Sequence, residues 1–168
     1  MLILAGIGLH VGYQFLLMAS YDAGDLTQIY PLARGSAPLI VALVSVALLG
    51  VSLQPVELGA IALIGLGIMS IALVGKRDGL HDRKAAVLAL TTGCFIASYS
   101  LIDGLGAREA GTALGYYGWL TIGNAVAFCA ITAVTRPGVL KRVPTHGLRL
   151  AVLGGGASYT AYALGVWS

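Results

Sequence analysis

Charged side chains are scarce in this chain. Lys, Arg, Asp and Glu together make up 10% of its 168 residues, whereas apolar residues make up 58%. An average soluble domain carries about 25% charged residues. A soluble chain of this composition would have too few charges to cover its apolar surface, but a lipid bilayer would solvate that surface directly. The composition therefore argues against an ordinary soluble domain and predicts a membrane protein.

Cysteine chemistry and common catalytic motifs are also missing. Cys94 and Cys129 lie singly inside apolar stretches without CxxC spacing, which argues against a disulfide or a metal site. The chain has no GxSxG, HExxH or P-loop motif. Its net charge of +3 comes from Lys and Arg that lie mostly in two loops, a pattern typical of membrane topology signals. We therefore expect no enzymatic activity, no cofactor and no nucleic-acid partner.

Long apolar runs, by contrast, fill most of the chain. Each is close to the ~20 residues that a helix needs to cross about 30 Å of hydrocarbon. Many of the 24 glycines lie inside these runs, where small residues let helix backbones approach closely. The pattern predicts an all-α, polytopic membrane bundle of about six transmembrane helices. The runs cover residues 2–20, 26–50, 56–74, 85–105, 112–134 and 148–168.

The first and last runs resemble each other, which suggests an internal repeat. Five helical segments separate equivalent positions, and this odd number would place the two copies upside-down relative to each other. Inverted repeats of this kind are common in secondary transporters. A shift of 148 residues aligns Gly6, Gly8, Leu16 and Ser20 with Gly154, Gly156, Leu164 and Ser168.

Two segments carry a resemblance to a known family. Residues 29–43, IYPLARGSAPLIVAL, followed by Leu48-Leu-Gly50, resemble the fourth helix of EamA-type permeases of the drug/metabolite transporter superfamily. Residues 98–108, SYSLIDGLGAR, are similar to the first helix of the second repeat in one branch of that family.

The resemblance implies a ten-helix transporter made of two inverted five-helix halves. On this map residues 1–77 hold the last three helices of the first half, and residues 78–168 hold the first three of the second. The positive-inside rule would place the basic loops at residues 76–84 and 136–149 in the cytoplasm, whereas the family map places them outside. Orientation therefore stays open.

Arg34 is the first candidate for a functional charge, because charged groups within membrane helices usually face a cavity or a partner. Tyr30 precedes it by one turn on the same face, and Gln28 lies nearby. Pro31 and Pro38 each free a backbone carbonyl, which membrane helices tolerate next to protein or a water-filled cavity. The alternative is that Arg34 snorkels to the membrane surface.

Asp103 is the second candidate. It could pair with Arg34, take up a proton or bind a cationic solute, with Tyr99 one turn before it. The alternative is a helix-end residue in contact with water. In the first run, His10 and Gln14 share a face at i, i+4. A histidine in such a position more often forms a hydrogen bond to a neighbouring helix than titrates.

Aromatic residues at the start of the fifth run are interpreted differently. Tyr116, Tyr117 and Trp119 are typical of the aromatic belt at a membrane surface. On the last helix, Tyr159 and other polar residues would line a cavity opposite His10 if the internal repeat is real.

Together these features favour a secondary transporter of a small metabolite or drug-like solute, an exporter in the bacterial inner membrane. Its partners would be the solute and the lipid bilayer, with a homodimer left open. The alternative is a truncated or inactive membrane subunit with a structural role, because the chain ends inside an apolar run and Val51 stands where the family usually has Glu. The predicted solute-binding residues are Arg34, Asp103, Tyr30, Gln28, Tyr99, His10 and Gln14.

The membrane assignment makes the first testable prediction. Because the apolar runs prefer lipid to water, the purified polypeptide is expected to require detergent and to aggregate when the detergent is removed. Light scattering during detergent removal measures this. A chain that stays dissolved and monomeric without detergent would contradict the membrane assignment and every residue role attached to it.

Overall fold

A computed structural model of this protein describes residues 1–23, 26–47, 50–74 and 83–167. Nearly all of these residues are helical, and none of them forms a β-strand. This confirms the predicted all-α class. A π-helical segment, Val143–Gly147, joins the sixth and seventh α-helices. The α-helices are α1 (Leu2–Ala23), α2 (Leu26–Ala47), α3 (Pro55–Val74), α4 (Arg83–Glu109), α5 (Ala113–Thr135), α6 (Pro137–Arg142) and α7 (Leu148–Trp167).

All helices except α6 are long and coincide with the apolar runs. Four spans are long and apolar enough to cross a membrane, which indicates an integral membrane protein. A total of six membrane-spanning helices, and a place within a ten-helix transporter, stay predictions. The four spans are Leu2–Ala23, Ile29–Ala47, Lys84–Glu109 and Ala113–Thr135.

The link between α4 and α5 shows how the chain reverses. Helix α4 ends at Glu109, four residues later than expected, since the helix continues through Gly104 and Gly106. Gly111 has a φ of +69°, a left-handed conformation that glycine adopts without steric penalty. Thr112 then caps α5, since its hydroxyl accepts a hydrogen bond from the Gly115 amide at 2.9 Å.

The chain forms two compact units. The terminal unit contains Met1–Val11 and Ile102–Ser168, and the central unit contains Gly12–Leu101. Helices α1 and α4 therefore each contribute residues to both units. The predicted division into residues 1–77 and 78–168 was based on a sequence repeat, and it stays a prediction.

Small residues determine the packing of the central unit. Ile29 and Ala33 of α2 form a buried cluster with Ala85 and Ala89 of α4. A Cβ atom added to Gly93 would lie 3.0 Å from the carbonyl oxygen of Ala33, closer than nearly all ordinary contacts. Helix α2 thus reaches the backbone of α4 because position 93 has no side chain.

Glycine has the same role in the terminal unit. A Cβ atom on Gly6 of α1 would lie 2.8 Å from Leu120 Cδ1 of α5, and Gly123 of α5 faces Ile7. Helix α7 packs against α5 through Tyr159 and Tyr117, whose ring centroids are 5.4 Å apart. The interpretation of glycines as packing spacers holds at these positions.

Two glycines of α4 give a matched test of this packing. We expect Gly93→Ala to destabilise the protein by about 1–3 kcal/mol, the usual effect of overpacking. Gly104 has no atom within 4 Å of an added Cβ, so Gly104→Ala should be neutral or stabilising by about 0.5–1 kcal/mol. Unfolding in mixed micelles of dodecyl maltoside and SDS measures the free energy of unfolding of both variants. Equal effects would show that the α2–α4 approach does not depend on Gly93.

Candidate functional site

The carboxylate cluster consists of His10, Asp103 and Tyr116, which come from α1, α4 and α5 of the terminal unit. His10 Nε2 and Asp103 Oδ2 form a hydrogen bond of 2.8 Å, and the two side chains are only 14% and 7% exposed. The expected hydrogen bond from His10 to a neighbouring helix is therefore present. The water-exposed position considered for Asp103 does not fit its burial.

Tyr116 completes the carboxylate cluster, since its phenol interacts with the Asp103 carboxylate. The residue is 4% exposed, so its interpretation as part of an aromatic belt is wrong. Trp119, at 67% exposure, retains the character of a belt residue. Two glycines make room for the cluster: a Cβ on Gly6 would lie 3.1 Å from Asp103 Oδ1, and Gly106 lies against the Tyr116 ring.

The chemistry of the carboxylate cluster follows from its one basic and one acidic side chain. With His10 neutral, the pair with Asp103 carries one negative charge, and with His10 protonated it carries none. A buried charge is tolerated only when it is paired and hydrogen-bonded. The 2.8 Å hydrogen bond between the two side chains meets this requirement and links α1 to α4 within the terminal unit.

The arginine cluster lies in the central unit and consists of Arg34 with Tyr13, Tyr30 and Tyr99. Arg34 Nη2 donates to the Tyr13 hydroxyl at 3.4 Å, and the guanidinium carbon lies 5.5 Å from the centroid of the Tyr30 ring. This distance is within the range of cation–π attraction. The rings of Tyr13 and Tyr99 pack edge to face with centroids 5.5 Å apart. Arg34 itself is exposed, so phenol groups of α1 and α2 contact the cation on one side without enclosing it.

Arg34 has no carboxylate within ion-pair distance among the described residues. It lies five positions after the start of the apolar span Ile29–Ala47, about 8 Å along the helix axis at 1.5 Å per residue. Snorkelling to the membrane surface remains the alternative at this depth. The contacts with Tyr13 and Tyr30 are made within the protein, and neither neutralises the charge.

The structure divides the predicted solute-binding residues between the two units. Arg34, Tyr30 and Tyr99 come together in the arginine cluster, whereas His10 and Asp103 pair in the carboxylate cluster. Gln14 belongs to the central unit, and its buried side-chain oxygen has no hydrogen-bond partner in the part of the chain that is described. The side chain of Gln28 lies outside the described residues. A solute-binding role for these residues stays a prediction.

Two residues of the clusters, Tyr13 and Tyr116, were not predicted from the sequence. Tyr116 shares a face of α5 with Leu120 and Gly123, at i+4 and i+7. That face carries a glycine that packs against α1, which is a signal for a buried face rather than a lipid-exposed belt. Tyr13 gave no comparable signal, because its contacts come from α2 and α4.

Comparison of this chain with protein-family models, with curated proteins and with solved structures finds no significant match. The resemblance to EamA-type permeases therefore rests on residues 29–50 and 98–108 alone. In the described ranges no group of three or more His, Cys, Asp or Glu side chains could hold a metal ion.

The buried pair makes a stability prediction. We expect His10→Ala to cost about 3–5 kcal/mol, because it leaves a buried carboxylate without its main partner. Asp103→Asn should cost less, since an amide leaves no charge behind. The double variant should then be less destabilised than the sum of the two single variants. Unfolding in mixed micelles of dodecyl maltoside and SDS gives the change in the free energy of unfolding for each of the three variants. Strictly additive changes would contradict a coupled pair.

Proposed function

We propose that this protein is a secondary transporter of a small metabolite or drug-like solute, working as an exporter in the bacterial inner membrane. The observation that supports this most directly is the guanidinium of Arg34. It lies in an apolar span, contacts Tyr13 of α1 and Tyr30 of its own helix, and has no carboxylate partner among the residues described. An intramembrane cation held in this way favours a solute pathway over simple packing.

The two clusters have different roles in this proposal. The arginine cluster contacts the solute, with Gln14 and Gln28 as further polar groups on α1 and α2. The carboxylate cluster takes up and releases a proton, and the movement of this proton down its gradient across the membrane supplies the energy for transport. His10 and Asp103 suit this role because one proton changes their joint charge without breaking the hydrogen bond between them. In this proposal the chain catalyses no chemical step.

The architecture that we propose is that of an EamA-type permease. Residues 1–77 and 78–168 would belong to two inverted halves, and the six long helices would be helices three to eight of ten. Alternating access would then come from rocking of the inverted halves around a site near the middle of the membrane. The sequence segments at residues 29–50 and 98–108 support this assignment.

A second candidate is a truncated or inactive membrane subunit with a structural role. The carboxylate cluster favours it, because His10 and Asp103 satisfy each other and already link α1 to α4. A structural subunit needs only such packing contacts. It would share the fold and the stability effects, but it would move no solute.

Flux through proteoliposomes distinguishes the two candidates. The full chain is reconstituted, and uptake of labelled phenylalanine, benzoate and ethidium is compared with uptake by protein-free liposomes. We expect at least one probe to cross faster with the protein, and Arg34→Ala and Asp103→Asn to slow it by about tenfold or more, since a charge-assisted hydrogen bond contributes about 1.5–3 kcal/mol.

The control for this experiment is Arg149→Ala, which removes an exposed arginine near the start of α7 and should leave the flux unchanged. If no probe crosses faster than in protein-free liposomes, the structural candidate is favoured. Unchanged flux in both Arg34→Ala and Asp103→Asn would contradict the assigned sites.

A further inference from the structure

The arginine cluster has a composition that selects for the charge of its ligand. We propose that it binds an organic monoanion, a carboxylate carried on an aromatic ring, and that this is the class of solute which the protein moves. The transport part of this statement rests on the proposed function, whereas the binding part depends only on the central unit.

The hydrogen-bonding capacity of Arg34 is the first reason. A guanidinium has five N–H donors in a planar fork that matches the two oxygens of a carboxylate. Within the protein, Arg34 uses one of them, the Nη2 bond to the Tyr13 hydroxyl, and its length of 3.4 Å places it at the weak end of the range. The remaining donors have no protein acceptor among the described residues, so a bidentate pair with a carboxylate is available.

The tyrosines around Arg34 are the second reason. The Tyr13 hydroxyl already contacts the guanidinium, and a phenol that accepts from arginine can donate its own proton to a ligand oxygen beside it. The edge-to-face contact with buried Tyr99 holds the Tyr13 ring in place. A carboxylate at this position would receive charge-assisted hydrogen bonds from groups that are already arranged.

The exposed ring of Tyr30 is the third reason, and it favours an aromatic body. Tyr30 is 46% exposed although it lies beside the guanidinium, so part of its ring surface is open to a ligand. Aromatic rings pack favourably on such a surface. A cationic ligand would be repelled by Arg34, and a neutral ligand would lose the charge-assisted part of the interaction.

The oxyanion could come from two sources. A free solute could supply a carboxylate, and a phospholipid could supply a headgroup phosphate, to which a snorkelling arginine would also bind. Both ligands offer negatively charged oxygens to the same guanidinium. We infer the solute, because the accessible rings of Tyr30 and Tyr13 provide an aromatic surface that a headgroup phosphate does not use.

Three probes that share one ring test the charge selectivity. Benzoate, benzamide and benzylamine differ mainly in charge, and their binding to the delipidated full chain in dodecyl maltoside is measured by equilibrium dialysis. We expect benzoate to bind about tenfold or more tightly than benzamide, because charge-assisted hydrogen bonds are about twice as strong as neutral ones. Benzylamine should not bind measurably. Equal binding of the three, or preference for benzylamine, would overturn the proposal.

A lipid arm separates the two sources of the oxyanion. Phosphatidylglycerol and phosphatidylcholine are added to the detergent solution at equal concentration, and benzoate binding is measured again. If Arg34 serves a solute, benzoate remains bound in both. Complete displacement by phosphatidylglycerol alone would identify a lipid headgroup as the ligand and overturn the proposal.

Variants locate the site, with size-exclusion chromatography as the check on folding. Arg34→Gln should abolish benzoate binding, and Arg34→Lys should weaken it by about tenfold, because an ammonium lacks the fork. Tyr13→Phe should weaken it, whereas the exposed control Arg149→Gln should not. Wild-type affinity in Arg34→Gln would overturn the proposal. If that variant does not fold, binding of the three probes to the wild-type chain and to Arg34→Lys decides whether Arg34 binds the carboxylate.

Binding and flux are measured independently, so the anion site and the transport function can fail separately. Benzoate binding without any flux would support the anion site and contradict the transport function. Flux of phenylalanine or ethidium in a chain that does not bind benzoate would support transport and overturn the assigned solute class.

Discussion

Hydrocarbon offers no hydrogen-bond partner, so a polar side chain in an apolar helix depends on the protein or on a ligand. His10 and Asp103 meet this constraint within the protein, through a 2.8 Å hydrogen bond between α1 and α4. Arg34 meets it only in part, since its contacts are with phenol groups and leave its charge uncompensated. This difference separates a carboxylate that is paired with a basic group inside the protein from a cation that is left to pair with a ligand.

Glycine makes both arrangements sterically possible. Gly6 and Gly106 leave room for the Asp103 carboxylate and the Tyr116 ring in the terminal unit. In the central unit, Gly93 lets α2 approach α4 at backbone distance. The polar contacts therefore depend on positions that carry no side chain, since closely spaced helices are what allow short side chains to meet.

The two clusters also differ in how their charge behaves. An arginine keeps its positive charge at any physiological pH, whereas a His–Asp pair can gain or lose a proton. A fixed charge suits selection of a solute by sign, and a variable charge suits coupling to a proton. In the proposed function, Arg34 would supply the fixed charge and the His10–Asp103 pair the variable one.

The sequence alone determined the helical class, the approximate helix positions and the membrane environment, because apolar length and composition act locally along the chain. It also identified Arg34, Asp103 and His10 as costly polar residues. Only the tertiary structure decided that Asp103 pairs with His10, at a separation of 93 residues, and that Tyr13 contacts Arg34. It likewise buried the Tyr116 ring among the helices. Such partners depend on which helix faces pack together, and no local pattern of residues encodes that choice.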